Sequence, residues 1–112
     1  MNLIIAVVRP HKLQDVKEAL SKIGVAGLTV TEVRGAGKQK GQVERYRGSE
    51  YNVDLLAKVK IEVATTEDQR EEAIQAIRKS AYTGEIGDGK IFVVPLTDAM
   101  RIRTGERGDD SL

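Results

Sequence analysis

Three glycines, at positions 84, 87 and 89, lie directly before a lysine and an apolar run in the segment Thr83-Gly-Glu-Ile-Gly-Asp-Gly-Lys-Ile-Phe-Val-Val-Pro95. Glycine tolerates positive φ and lets the backbone approach a ligand closely, so that consecutive amides can converge on an anion. Lys90 adds a point charge suited to phosphate. The segment therefore predicts an anion-binding loop. A second interpretation is a helix C-cap at Gly84, followed by a tight turn into a strand.

The composition argues against several other kinds of chemistry. The formal net charge is +1, and three Tyr, one Phe and no Trp leave little aromatic surface for base stacking, so nucleic acid is not an expected partner. Without cysteine there is no disulfide framework, and His11 alone does not make a zinc site. The apolar run at residues 3–8 is too short to span a bilayer and lacks a basic leader. These features predict a cytoplasmic protein that does not insert into a membrane.

Two β-α-β units position these residues. The first opens with the apolar strand Leu3–Val8, which Pro10 interrupts. An amphipathic helix with Gly24 as its C′ residue follows, since apolar residues recur at helical spacing: Leu13, Val16, Leu20 and Ile23. A second strand, from residue 28 to residue 33, completes the unit.

The second unit begins with a strand whose apolar residues all have odd numbers: Val53, Leu55, Val59, Ile61 and Val63. Its even-numbered face carries Lys58, Lys60 and Glu62. Thr66 with Gln69 forms a capping-box pattern. The helix that follows has the apolar stripe Ala73, Ile74, Ile77 and Ala81, and Ile91–Val94 is the fourth strand. Pro95 must lie at its end or on a sheet edge.

This element order predicts an α+β fold of the ferredoxin-like, split βαβ type, with a four-stranded antiparallel sheet and two helices on one face. The 112 residues fit one domain. The first and fourth strands are apolar at consecutive positions, which predicts burial on both faces. A symmetric partner is the simplest cover for the second face, so we expect an oligomer.

A gap of unpatterned sequence, residues 34–52, separates the two units. Loops this long in compact domains are usually functional or disordered. Disorder is one interpretation of the polar composition. The other is a docking or modification surface, because three hydroxyl-bearing side chains are flanked by charge: Tyr46, Ser49 and Tyr51.

Four blocks together resemble the PII nitrogen-regulatory signal-transduction proteins: Gly35-Ala-Gly-Lys-Gln-Lys-Gly41, Tyr46-Arg-Gly-Ser-Glu-Tyr51, Thr83–Lys90 and Arg101-Ile-Arg-Thr-Gly-Glu106. The resemblance implies one PII-like domain over residues 1–112, with a T-loop at 34–52, a glycine-rich phosphate loop at 83–90 and a C-terminal segment at 101–112. It implies a homotrimer that binds ATP or ADP, Mg²⁺ and 2-oxoglutarate between subunits. Such a protein is a regulator rather than an enzyme. Its T-loop docks on target proteins of nitrogen metabolism, such as an ammonium channel, nitrogen-assimilation enzymes or regulators.

The same resemblance assigns site residues. The residues assigned to nucleotide binding are Thr29, Gly35, Gly37, Lys38, Gln39, Ala64, Gly87, Asp88, Gly89, Lys90, Arg101 and Arg103. The residues assigned to 2-oxoglutarate binding are Gln39, Lys40, Gly41, Lys58 and Gly87. Gln39 is also the expected metal ligand, and Tyr51 or Ser49 the expected site of covalent modification. Compared with the family pattern, Lys38 replaces an arginine, and Ala36 and Ala64 replace larger residues.

The sequence alone leaves alternatives to several of these roles. We expect Arg101 and Arg103 to alternate along an extended segment, with both guanidinium groups on one side, although a solvated surface edge is the other interpretation. Lys58 is either the partner of an effector carboxylate or an exposed strand lysine. A slow Mg²⁺-dependent nucleotide phosphohydrolase would need a general base such as Asp88 or Glu62. A trimer that binds nucleotide without 2-oxoglutarate, or has a degenerate site, is the remaining alternative.

Overall fold

The computed structural model describes all of residues 1–112 except 26, 37–41, 47, 48 and 54, and for the other residues of 42–53 it describes the backbone. The elements in chain order are β1 Asn2–Val8, α1 Leu13–Lys22, β2 Thr29–Gly35, β3 Gln42–Tyr46, β4 Ser49–Val53, β5 Leu56–Thr65, α2 Glu67–Ala81 and β6 Gly89–Pro95, with short 3-10 turns at Pro10–Lys12 and Gly108–Ser111. No helix among these described elements is long and apolar enough to cross a bilayer.

Four strands form one antiparallel sheet in the order β2-β5-β1-β6. Both helices pack on one face, where Val16 and Leu20 of α1 and Ile77 of α2 meet buried side chains of the sheet such as Ile4 and Ile61. This arrangement confirms the predicted ferredoxin-like fold. Pro95 ends β6, which is an edge strand, as expected for a residue without an N–H donor.

The two faces of the sheet differ in burial. Along β1, the residues that face the helices are buried, whereas Leu3, Ile5 and Val7 on the other face are half-buried. The register places Ile5 opposite Phe92 and Leu3 opposite the next outward residue of β6. Phe92 is 48% exposed and Val94 is 42% exposed. We call this second surface the open face. Within one chain, the expected burial is found on the helix face of β1, whereas β6 stays largely exposed on both faces: even Val93, which pairs with Ile4 on the helix face, is 41% exposed.

The predicted helix boundaries are correct in two places. Gly24 has φ 84°, its N–H donates to Ser21 O, and the N–H of Val25 donates to Leu20 O, which is the Schellman arrangement that ends α1. Thr66 caps α2, because its hydroxyl accepts from the N–H of Gln69 at 3.3 Å.

A Gly84 cap for α2 is wrong. The helix ends at Ala81, and Tyr82 follows in an extended conformation with its N–H donating to Arg78 O. Gly84 instead lies two residues further on, in the loop that leads to β6. Extended backbone at Tyr82 turns the chain away from the helix axis before any glycine is reached.

The boundaries of the central region also differ from the prediction. Val53 pairs with Gln42 in a two-stranded hairpin of β3 and β4, and Leu55 lies outside the strands, so β5 begins only at Leu56. β2 extends to Gly35, inside the segment expected to lack a pattern. The backbone hydrogen bonds that pair β3 with β4 do not depend on side-chain type, so the lack of apolar periodicity did not exclude strands in this segment.

Candidate functional site

Positive φ angles shape the loop between α2 and β6. Gly84, Gly87 and Gly89 have φ values of 87°, 105° and 113°. A Cβ added to Gly89 would lie 1.8 Å from the carbonyl oxygen of Val7, because β1 and β6 are closely paired at that point. Only glycine satisfies both the conformation and the space at position 89.

The carboxylate of Asp88 organises this loop from within. Its Oδ2 accepts from the N–H groups of Thr83 at 2.7 Å and Gly84 at 3.0 Å. Its Oδ1 accepts from the hydroxyl of Thr83 and from Arg9 Nε, the latter at 3.2 Å. These hydrogen bonds, above all that of the Thr83 hydroxyl, hold the pKa of Asp88 well below its usual range. Asp88 is thus an ionised acceptor that fixes both ends of the loop.

Two cations hold successive carbonyl groups of the loop. Arg9 Nη2 donates to Ile86 O at 2.8 Å, and Lys58 Nζ donates to Gly87 O at 2.5 Å. In a trans peptide the carbonyl oxygen and the N–H of the next residue point in opposite directions. All peptide bonds between the described residues are trans. The N–H groups of Gly87 and Asp88 therefore point away from the two cations. We call these two N–H groups the outward amides, because they point away from the cations that hold the adjoining carbonyls. Two adjacent amides of this kind are an arrangement that can receive an anion.

Lys58 is buried, with 8% of its surface exposed, which rules out the exposed strand lysine. Burial is the main reason why the pKa of the Lys58 amine is lowered, and the nearby Arg9 charge lowers it further while Asp88 opposes the shift. The contact with Gly87 joins two of the residues that the resemblance assigned to 2-oxoglutarate. Gly35 lies beside them, since a Cβ there would be 3.6 Å from Lys58 Cγ.

Lys90 is the first residue of β6 on the open face, and it pairs with Val7 of β1. Its side chain is exposed, and Nζ lies 6.0 Å from the centre of the Phe92 ring, at the outer limit of a cation–π contact. On the helix side of the loop there is a cavity of about 250 Å³ lined by Val8, Ile77, Arg78, Ala81, Tyr82, Asp88, Gly89, Lys90 and Ile91. The loop is therefore accessible from both faces of the sheet.

Thr29 and Ala64 lie on the open face toward the other end of the sheet. Thr29 pairs with Glu62, and Ala64 pairs with Leu3. Ala64 lies six positions beyond Lys58 along β5, a distance of about 20 Å at 3.3 Å per residue. The structure thus divides the expected site residues of one chain into two groups on the same face.

The expected extended segment at Arg101 and Arg103 is wrong. The N–H of Gly105 donates to Arg101 O at 2.8 Å, and the N–H of Arg101 donates to Glu106 O at 2.9 Å, so residues 102–104 form a turn. Gly105 permits the turn with φ 75°. The Arg101 guanidinium contacts Glu106 at 3.7 Å and Leu112 O at 3.1 Å, whereas Arg103 is exposed on the turn. Alternation therefore does not place the two side chains on one side.

Several expected residues fall outside the described residues: Gly37, Lys38, Gln39, Lys40 and Gly41. The predicted metal ligand is among them. The backbones of Ser49 and Tyr51 belong to β4, where Tyr51 pairs with Glu44 and Ser49 with Tyr46. Both positions are therefore in the hairpin rather than in the main sheet.

Sequence reasoning did not select Arg9 or Thr83. A usable signal was present for each. Arg9 directly follows β1, whose last residue pairs with Gly89, so a charge at that position must lie close to the glycine loop. Thr83 precedes Asp88 by five residues within a glycine-rich turn, where hydroxyl and carboxylate groups commonly bond to each other and to the backbone.

Comparison with known proteins gives the class to which this fold and loop belong. The family model described as "Nitrogen regulatory protein P-II" matches residues 1–106. The chain is 57% identical to the nitrogen regulatory protein GlnK of Escherichia coli strain K12 over 112 residues, which cover all of both chains. Over the same full coverage it is 55% identical to nitrogen regulatory protein P-II of Azospirillum brasilense and 54% identical to that of Pasteurella multocida strain Pm70. The chain belongs to the P-II family of nitrogen regulatory proteins.

Proposed function

We propose that this P-II family member is a cytoplasmic, non-catalytic sensor that binds ATP or ADP together with 2-oxoglutarate between the subunits of a homotrimer. Through the T-loop, residues 34–52, it controls target proteins of nitrogen metabolism. The observation that carries the proposal is the conformation of the glycine loop. Arg9 and Lys58 bind two successive carbonyl groups of the loop, so the N–H groups of Gly87 and Asp88 point away from these two cations.

Nucleotide phosphates are the anions that suit this loop. The outward amides of Gly87 and Asp88 would donate to phosphate oxygens, and the exposed ammonium of Lys90 would leave the Phe92 ring to join them. The adenine would lie toward Thr29 and Ala64 on the same open face. Arg103 is exposed on its turn and would reach phosphates of a neighbouring subunit, while Arg101 would do so by exchanging its contact with Glu106.

The buried ammonium of Lys58 suits one carboxylate of 2-oxoglutarate. A carboxylate would take the position of Gly87 O as its acceptor, which offsets the cost of burying the amine. Bound Mg²⁺ would neutralise the repulsion between the effector and the ATP phosphates through hard oxygen ligands. Gln39 is the residue of this chain that we assign to that metal, next to Lys40 and Gly41.

Trimer formation is supported by the open face. Leu3 and Ile5 are half-buried there, and Phe92 and Val94 are close to half exposed, so one chain leaves an apolar stripe along β1 and β6. A partner subunit that covers this stripe would bury it. The same assembly would bring residues of two subunits to one ligand.

A hydrolytic function receives no support from the acidic side chains near the loop. Asp88 accepts four hydrogen bonds and its lowered pKa makes it a weak base. Glu62 is ion-paired with Lys60 at 3.7 Å. Regulation would instead pass through the hairpin of the T-loop, where Tyr51 or Ser49 is the proposed modification site and where an ammonium channel, enzymes or regulators would dock.

The test is a calorimetric titration of 2-oxoglutarate into the Mg-ATP form, the ADP form and the Mg-ATP form of Lys58→Met. We expect binding to the first alone, because ADP lacks the γ-phosphate and methionine lacks the charge. ATP and 2-oxoglutarate should strengthen each other equally, by about 1–3 kcal/mol. The variant should lose much more affinity for 2-oxoglutarate than for ATP, because Arg9 still holds the carbonyl of Ile86 after the Lys58 contact with Gly87 O is lost. Equal 2-oxoglutarate affinity in all three forms would contradict the proposal.

A further inference from the structure

Arg9 contacts the glycine loop at two separate points. It lies one residue beyond β1, and its guanidinium donates through Nε to Asp88 and through Nη2 to Ile86 O. The side chains of Arg9 and Asp88 are only 25% and 22% exposed. A guanidinium has a rigid, planar set of donors, so two acceptors bound at once are held in fixed relative positions.

Asp88 carries the same constraint to the start of the loop. Its carboxylate accepts from the N–H groups of Thr83 and Gly84 as well as from Arg9. One ion pair therefore connects the beginning, the middle and the end of the segment from Thr83 to Asp88. The hydrogen bonds that Asp88 accepts use its side chain, whereas its N–H belongs to the peptide whose carbonyl Lys58 holds.

We propose that Arg9 and Asp88 are positioning residues of the phosphate loop, which fix the direction of the Gly87 and Asp88 amides and keep the Asp88 charge compensated beside a bound phosphate. Neither side chain contacts the nucleotide in this proposal, so Asp88 would contribute to binding through its N–H alone. The inference rests on the proposed function, namely that the loop receives nucleotide phosphates.

Two physical consequences distinguish this role from general attraction of an anion. Removal of Arg9 alone leaves an uncompensated carboxylate next to the phosphates, so it should weaken binding more than the loss of one distant positive charge. Removal of the Asp88 charge should reverse part of that loss. The two substitutions should therefore be non-additive, as expected for residues that act as one unit.

The experiment is a double-mutant cycle by calorimetry with ATP and ADP as probes, using Arg9→Gln, Asp88→Asn, the double variant and Arg9→Lys. Lys12→Gln is the matched control, since Lys12 carries one positive charge three residues further along and pairs with Asp15 at 3.7 Å. We expect Arg9→Gln to weaken both nucleotides about tenfold or more. Arg9→Lys should recover little of this loss, because an ammonium lacks the fork, and Lys12→Gln should bind like wild type. The double variant should bind at least as tightly as Arg9→Gln.

Two results would overturn the positioning role. One is an equal loss of nucleotide affinity in Arg9→Gln and Lys12→Gln, and the other is strict additivity of the losses in Arg9→Gln and Asp88→Asn. Either result would leave the proposed function intact as long as the wild type binds ATP. Absence of ATP binding in the wild type would instead refute the proposed function. Amide hydrogen exchange in the nucleotide-free protein tests the positioning separately. It should accelerate at residues 84–88 in Arg9→Gln and in Asp88→Asn but not in Lys12→Gln. Unchanged exchange in the first two variants would overturn it.

Discussion

An aspartate–arginine pair occurs both at the glycine loop and at the turn of residues 102–104, which we call the C-terminal turn. The contacts that support the two pairs differ. Asp88 bonds to Arg9, which is 79 positions away in the chain, and the loop also receives Lys58 from β5. Asp98 bonds to Arg107, nine positions away, through Nε at 2.9 Å and Nη2 at 2.5 Å. Both residues of that second pair are much more exposed. The glycine loop is therefore fixed by the sheet, whereas the C-terminal turn is held by its own neighbours.

This difference has a functional meaning under the proposed mechanism. A loop that is fixed by distant parts of the sheet presents its amides in one direction before a ligand arrives, which reduces the ordering cost of binding. A turn with local, solvated contacts adjusts more easily to a neighbouring subunit. The glycine loop would thus provide the preformed part of the nucleotide site, and Arg101 with Arg103 the adaptable part.

The largest expected contrast between the two regions comes from glycine substitution. Gly89→Ala should destabilise the protein by more than about 3 kcal/mol, because the new Cβ meets the Val7 backbone and φ is 113°. Gly105→Ala is the matched control: its φ is also positive at 75°, but nothing lies within 4 Å, so about 1 kcal/mol is expected. Urea denaturation at one fixed protein concentration measures both. Similar losses at the two positions would contradict the difference in packing.

The next contrast concerns the adaptable part of the site. Arg103→Ala should weaken ATP and ADP together by about 1.5–3 kcal/mol, since a charged donor to phosphate is lost. Stability should change little because the Arg103 side chain is exposed on its turn. Calorimetry with both nucleotides and a denaturation curve give the two readouts. If the affinities for ATP and ADP are both unchanged, Arg103 is a solvated surface residue and does not bind phosphate.

A smaller effect is expected in the pH dependence of stability. The pKa of Asp88 is lowered in the folded protein, so its contribution is complete above the ordinary carboxyl range and is lost as the pH falls through the folded value. Thr83→Val removes the hydroxyl that contributes most and should raise this pKa toward its ordinary value. The variant should lose stability less steeply between about pH 4 and pH 2. Equal acid slopes for wild type and variant would show that the Thr83 hydroxyl does not tune Asp88.

The smallest effect should come from the C-terminal pair. Arg107→Gln removes the partner that contributes most to the lowered pKa of Asp98, yet the pair is exposed and screened by solvent. We expect a denaturation midpoint close to that of wild type. A large shift would mean that the C-terminal turn is coupled to the sheet after all.

Local patterns predicted the fold well, because each depends on neighbouring residues. Apolar spacing located both helices and the core strands, and Gly24 and Thr66 marked helix ends by their own chemistry. Strand alternation, however, placed Val53 and Leu55 in β5, since it cannot tell a strand of the main sheet from the end of a separate hairpin. Alternation also suggested an extended segment at Arg101, where Gly105 instead closes a turn.

The site was less predictable than the fold because its decisive contacts join distant parts of the chain. Composition marked the glycines and Lys90, but the burial of Lys58 depends on the loop that covers it, 29 positions away. Arg9 has no motif of its own and becomes informative only once the pairing of β1 with β6 is known. The assignment of 2-oxoglutarate to Lys58 came from family resemblance, and the titrations described above are its test.

The central claim is that the outward amides of Gly87 and Asp88 receive nucleotide phosphate. The direct measurement is a ¹⁵N amide NMR titration of the protein with ATP, with ADP, and with adenosine as the control that lacks phosphate. We predict large, saturable shifts of the Gly87 and Asp88 amide signals with ATP and ADP but not with adenosine. Unmoved signals at these two residues while ATP binds, or the same shifts with adenosine, would contradict the account.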